Sequence, residues 1–168
     1  ILTPDEYGGV GHAKVLDLGI ARFDSVLGGS ADGMTRATMT QTGTIVGTVD
    51  YMSPEQAVNS RHADARSDIY SLGCTLYFLT TGKPLHPGET IMERLIAHRE
   101  QLPPQIRDEV AGAGKDLEAV FQKMITREPE DRYQTMAEVR EDLDAVMAGR
   151  RPKAQNFTPP LWARDILR

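Results

Sequence analysis

The 168-residue chain has one cysteine, one tryptophan and only 6% aromatic residues. The single Cys74 excludes an internal disulfide and fits a reducing compartment. It lies among apolar residues, in L-G-C-T-L-Y, and reads as a small buried thiol rather than a reactive one. No window holds the roughly 18 apolar residues that a membrane span requires, and no signal-peptide pattern is present. A basic excess is also missing. The formal net charge of -5 gives no general attraction to nucleic acid or to anionic membrane surfaces. There are no internal repeats. The four histidines, His12, His62, His86 and His98, lack metal-ligand spacing and a partner pattern, so they read as surface or loop residues. The first residue is Ile rather than Met, which suggests a piece of something longer.

What is there is ordinary for a globular domain. The 40% hydrophobic and 26% charged content, at this length, suits one domain with a modest core. Residues 1–23 read as a strand pair, with Gly9 and Gly11 in a hairpin turn. Residues 24–50 are rich in Gly, Ser and Thr, a long polar loop of the kind that carries function.

Helices follow. Residues 68–80, D-I-Y-S-L-G-C-T-L-Y-F-L-T, are apolar on nearly every side, as in a buried central helix opened by Asp68 and ended by Gly82 and Pro84. Thr90 with Glu93 forms a capping box, and Ile91, Leu95 and Ile96 form the face of the next helix. Leu117, Val120, Phe121 and Met124 keep the i, i+3, i+4, i+7 spacing. A second box, Thr135 with Glu138, opens a helix that carries Met136, Val139, Leu143 and Val146 on one face and stops at Gly149. Residues 150–168 hold three prolines and a local basic excess, and read as a tail or linker with solvated charges. The fold class is α+β, mainly α.

The chemistry sits in a series of short motifs. In K-V-L-D-L-G-I-A-R, residues 14–22, an apolar run ends on Asp17, followed two residues later by Gly19. Taken alone this is either a turn or an acid presented at a strand end. After the loop come G-T-V-D-Y-M-S-P-E at 47–55, S-D-I-Y-S-L-G at 67–73, T-G-K-P at 81–84 and P-E-D-R-Y at 129–133. In this order they resemble the C-terminal half of a protein kinase catalytic domain, in the wording of the bacterial serine/threonine kinases of eukaryotic type. The resemblance runs from about Ile1 to Gly149. It implies a partial kinase domain at 1–149, with a short strand pair, a long activation loop and a helical bundle around a buried central helix, followed by the tail at 150–168.

The resemblance also implies roles. Asp17 stands where the family holds Mg²⁺ against the nucleotide phosphates, and a carboxylate suits a hard cation. Leu18 replaces the usual Phe but remains a bulky apolar plug. Gly19 supplies backbone freedom for the turn and for switching. Thr40 and Thr42, in T-M-T-Q-T-G-T, correspond to autophosphorylated threonines of the activation loop, and a phosphate can order such a loop by pairing with arginine. Thr48 matches the threonine beside the substrate-docking loop whose hydroxyl bonds the catalytic Asp, which favours protein Ser/Thr hydroxyls as substrates. Glu55 pairs with Arg132 in the family, and Asp68 anchors the catalytic-loop backbone.

Other parts of a kinase are not in the sequence. It contains neither the Gly-rich loop nor the V-A-I-K lysine, and H-R-D-x-x-x-x-N does not occur. Phosphoryl transfer needs those groups together. The expectation is a kinase fragment whose parent uses ATP and Mg²⁺, with the kinase domain in the cytoplasm; many of the bacterial kinases it resembles are anchored in a membrane after a linker. The Mg²⁺ site of this chain is incomplete, and the isolated chain is inactive and poorly stable, with an apolar patch on the central helix where the missing N-terminal half would pack. Alternatives are a non-catalytic interaction module and half of a split kinase.

Overall fold

The computed structural model describes residues 2–3, 12–13, 49–59 and 63–158. The chain divides into two units, Ile1–Gln41 and Thr42–Arg168. In the first, β1 (Leu2–Thr3) and β2 (His12–Ala13) pair antiparallel, with Leu2 opposite Ala13 and Thr3 opposite His12. This is the strand pair expected within residues 1–23. The expected turn at Gly9 and Gly11 lies outside the described residues, as does the polar loop up to residue 48.

The second unit is helical. A single 3-10 turn, Val49–Tyr51, leads into α1 (Pro54–Val58). The longest helix, α2, spans Ala65–Thr81. It starts earlier than the apolar run suggested. Asp64, in extended conformation, caps it by accepting the N–H of Arg66 at 2.8 Å. Asp68 therefore does not open the helix; it lies one turn in, and is exposed. The helix ends on Gly82 in the left-handed region at φ 72°, where a Cβ would be strained. Its buried stripe is Ser67, Ile69, Tyr70, Gly73, Cys74 and Tyr77. Burial is not all-round: Leu72 and Leu79, seven residues apart and so on one face, are exposed.

Helix α3 (Ile91–Glu100) begins with the Thr90–Glu93 capping box, both halves of it formed. Its inward face differs from the expected one. Arg94, Ala97 and His98 are buried, whereas Ile91 and Ile96 are exposed. The reason is partnership. Arg94 reaches the Asp50 carboxylate and His98 reaches the Tyr70 hydroxyl, so the polar side of α3 turns inward and the apolar stripe outward. The same contacts correct the reading of the histidines, since His86 and His98 are both buried.

A short α4 (Ile106–Glu109) precedes α5 (Lys115–Met124), in which Val120, Phe121 and Met124 are fully buried as their spacing required. Helix α6 (Met136–Met147) is capped by the Thr135 hydroxyl, which accepts from Glu138 N–H. The reciprocal half of that box goes elsewhere, because the Glu138 carboxylate takes the N–H of Gln134 at 2.8 Å. Val139 is buried, with Leu143 and Val146 half-buried beside it, but Met136 in the first turn is exposed. Gly149, at φ 66°, ends the helix region.

Two apolar clusters share α2 and α5. One gathers Tyr70, Cys74, Tyr77, Leu85, Ile106, Phe121 and Ile125; the other Ile69, Val120, Met124, Tyr133, Val139 and Ala154. The helices approach closely at Gly73, where a Cβ would stand 2.6 Å from Ile125 Cγ2. Ala154 belongs to the tail, whose first part is docked: Lys153–Asn156 form a 3-10 turn against α5, and Pro152 is fully buried.

Candidate functional site

The segment that follows Thr48 is held at three points by side chains from distant parts of the chain. Met52 N–H closes the 3-10 turn on Val49 O at 3.1 Å. Ser71, on α2, donates its hydroxyl to Tyr51 O at 2.7 Å. Arg94, on α3, donates from Nη1 to Asp50 Oδ1 at 2.9 Å, with both side chains largely shielded. Ser53 is fully buried, and both its N–H and its hydroxyl bond Gln56 Oε1, at 3.0 and 2.9 Å. This local pairing and Pro54 at the first helical position start α1 directly after the turn.

The third anchor is Glu55. Its Oε1 accepts from Arg132 Nη1 at 2.8 Å and from Ser67 Oγ at 2.6 Å, and its Oε2 accepts from Arg132 Nη2 at 2.7 Å. Arg132 uses every donor it has. Nε goes to Thr126 O, Nη1 also to Arg66 O, and Nη2 also to Arg127 O. Its guanidinium lies 4.9 Å from the Tyr70 ring centroid. Burial opposes ionisation of Glu55, but the hydrogen bonds from Arg132 and Ser67 outweigh it and hold the carboxyl below its ordinary value. The pair therefore stays charged at neutral pH. Its work is mechanical: it ties α1 to α2 and to the Thr126–Arg132 turn.

Beneath the segment, Tyr70 OH and His98 Nδ1 are 2.9 Å apart, and the His86 ring packs edge-on against His98 at 5.0 Å. Burial pushes His98 down to about 4 and, together with the neighbouring His98, pushes His86 down to about 3. Both rings are neutral under ordinary conditions. Burial also pushes the Cys74 thiol up, which leaves it unreactive.

Of the residues picked from the sequence, the structure brings Glu55 and Arg132 together and places Asp68 on the exposed side of α2. Asp17, Gly19, Thr40, Thr42 and Thr48 lie outside the described residues. Among the described residues no group of three or more His, Cys, Asp or Glu side chains is placed to hold a metal ion. Sequence reading missed Ser67, Ser71, Arg94 and Asp142. The first two carried a signal, since S-x-x-x-S at 67 and 71 puts both hydroxyls on one face of α2. Arg94 carried none, because its partner lies 44 residues away.

The comparisons with known proteins fall on this same region. The protein kinase domain family model matches residues 7–143. The serine/threonine-protein kinase PknB of Mycobacterium tuberculosis is 43% identical over 143 residues, which is 84% of this chain and 21% of that protein. PknB of Mycolicibacterium smegmatis is 41% identical over 143 residues, with the same coverage of both chains. A probable serine/threonine-protein kinase of Corynebacterium efficiens is 43% identical over 140 residues, 81% of this chain and 20% of the relative. The chain thus spans about a fifth of the length of the curated relatives it matches.

Proposed function

The chain belongs to the protein kinase domain family, and from that premise we propose that it is the activation-segment and helical part of a kinase that transfers the γ-phosphate of ATP to protein Ser or Thr hydroxyls. The observation that carries this reading is the triple anchoring of residues 50–55 by Arg94, Ser71 and Arg132, immediately after Thr48. Such an arrangement suits a loop that must present a protein substrate in one geometry, since positioning is most of what a phosphoryl-transfer enzyme supplies.

In this reading Asp17 holds Mg²⁺ in the intact kinase and Gly19 lets that acid move. Mg²⁺, when bound, neutralises charge on the ATP phosphates. Thr48 supports a catalytic Asp contributed by the missing N-terminal half, and Thr40 and Thr42 take phosphate during activation. Asp68 on the exposed side of α2 is available to the catalytic-loop backbone. The boundary between a partial kinase domain and a tail falls at Gly149, and the tail begins with a docked stretch. No helix among the described residues is long and apolar enough to cross a membrane. We place the kinase part in the cytoplasm, with membrane anchoring left to other parts of a parent protein.

The 168-residue chain by itself is proposed to be inactive, because the catalytic-loop Asp and Asn and the ATP lysine are not in its sequence. A second reading, a non-catalytic interaction module, is favoured by one observation: Ile91, Met92 and Ile96 expose an apolar stripe along α3. A split kinase differs only in where the other half is encoded. The test compares the 168-residue chain with the longer protein that contains it, each given ATP, Mg²⁺ and a generic protein substrate. Transfer by the longer protein, lost in Asp17→Ala and absent from the short chain, is expected. Transfer by the short chain overturns its inactivity, and no transfer by the longer protein favours the interaction module.

A further inference from the structure

Asp50 is an acid in the segment proposed to present substrate, two residues beyond Thr48. Its neighbour Val49 is buried, whereas the Asp50 side chain keeps 21% of its surface, enough to be reached from solvent. A lone carboxylate in such a place would draw a basic side chain from a bound peptide. Here it already has a partner, and the partner is held in position. The Arg94 stem lies against Gly88, where a Cβ would come within 2.9 Å of Arg94 Cγ, and its Nε points to Thr90 O at 3.5 Å. Only 11% of the Arg94 side chain is exposed, so its head is not the freely moving charge of a surface arginine. The pair joins α3 to the turn across 44 residues of sequence.

We propose that Arg94 is a specificity-determining residue: by occupying Asp50 it cancels the one acid of residues 49–53, and the segment therefore selects against no neutral peptide and gives no advantage to a basic one. The inference rests on the kinase reading above. A substrate Lys or Arg can bond Asp50 only by displacing a cation that is already seated, so the exchange yields little. Removing the Arg94 charge while keeping its stem hands Asp50 to the substrate. Arg94 acts on the substrate only through Asp50.

The experiment uses the longer protein that contains this chain and a peptide set in which Lys or Arg replaces a neutral residue at each position around a phosphoacceptor Ser or Thr. Arg94→Met is expected to raise kcat/KM for peptides basic at one particular position by about tenfold over their neutral counterparts. The gain appears in KM, with kcat nearly unchanged. Asp50→Asn and the double variant Asp50→Asn/Arg94→Met show no such gain. Arg94→Gln, a milder change that keeps an amide donor, gives the same shift at smaller size, and serves if the Met variant fails to fold. A merely structural role for Arg94 would lower kcat/KM for all peptides alike. If the wild-type protein transfers phosphate and the Arg94 variants keep its peptide ranking, the inference is overturned and the kinase reading stands. If the wild-type protein transfers no phosphate to any peptide, the kinase reading falls and the inference with it.

Discussion

Glu55 and Arg132, 77 residues apart in sequence, meet in two parallel hydrogen bonds of 2.8 and 2.7 Å, and the Arg132 side chain has no exposed surface. Three backbone carbonyls, of Thr126, Arg66 and Arg127, take the remaining donors of the guanidinium. The arginine is thus a junction between α1, α2 and the turn that follows α5. Truncating it strips the Glu55 carboxylate of both guanidinium donors, leaving only Ser67 Oγ, and takes one donor from each of the three carbonyls. Arg132→Ala is expected to lower the unfolding free energy by about 3–5 kcal/mol, read by urea denaturation. Arg132→Lys should recover only a minor part, since an ammonium cannot fork across both carboxylate oxygens. An unchanged urea midpoint for Arg132→Ala would refute this account of the junction.

The buried histidines give the fold an acid sensitivity with a defined window. Folded His98 and His86 titrate at about 4 and about 3, against an ordinary value of 6.5. As pH falls, the unfolded chain therefore takes up protons first, and stability is lost. The contribution is complete above about pH 6.5 and declines below it, by up to about 1.4 kcal/mol per pH unit for each histidine. Glu55, Asp64 and Asp142 have carboxyls held below their ordinary values, so their losses begin only below about pH 4.5. Urea unfolding between about pH 6.5 and 5 isolates the histidine pair. His86→Phe, which keeps a ring beside His98, should remove about half of the slope. A stability that stays flat across that interval would contradict the burial of both rings.

Gly73 tests the packing of α2 on α5. An added Cβ would stand 2.6 Å from Ile125 Cγ2 and 3.1 Å from Met124 Cβ. Neither atom is the far end of a flexible side chain, so the helices must separate. Gly73→Ala is expected to cost about 1–3 kcal/mol from overpacking, more than the ~1 kcal/mol that alanine gains in helix propensity. Gly82→Ala is the informative contrast. Nothing lies within 4 Å of that site, and any loss comes from the left-handed backbone alone, about 1–2 kcal/mol. Equal stability of Gly73→Ala and wild type in thermal melts would mean that α5 shifts freely.

Much of this was legible in the sequence where the signal is local. The Thr90–Glu93 box, the Val120–Phe121–Met124 stripe and the stops at Gly82 and Gly149 depend on neighbours within a turn or two, and they stand where the pattern put them. The family motifs joined Glu55 to Arg132, which spacing alone could never have done. What failed were inferences from hydrophobicity about partners far along the chain. The apolar stripe of α3 points to an inner face of Ile91, Leu95 and Ile96, yet Arg94 and His98 are inside because they bond Asp50 and Tyr70. Asp68 looked like the helix opener because the apolar run starts there, but a cap needs only a carboxylate before the first free N–H groups, and Asp64 supplies it.

The tail, which composition alone presents as a solvated linker, is docked against α5 and α6. Asp142 is buried on α6, and its carboxylate accepts from Tyr133 OH at 2.7 Å, Lys153 N–H at 2.8 Å and Ala154 N–H at 2.9 Å. Two of those three donors belong to the tail. Burial disfavours the charged carboxylate, but the three donors outweigh it and hold Asp142 below its ordinary value, two of them supplied by the docked tail. The family match ends at residue 143, which would invite a boundary there or at Gly149. Removing the residues after Gly149 leaves Asp142 with Tyr133 as its one hydrogen-bond donor of the three, and uncovers the surface that Pro152 and Ala154 bury. The truncated chain is expected to lose about 2–4 kcal/mol of unfolding free energy, part from unsatisfied polar groups and part from lost apolar burial. Asp142→Asn in the intact chain should lose less, since an amide oxygen still accepts from one of the two tail N–H groups. A truncated chain that unfolds at the same urea concentration as the intact one would return the tail to the role of a linker.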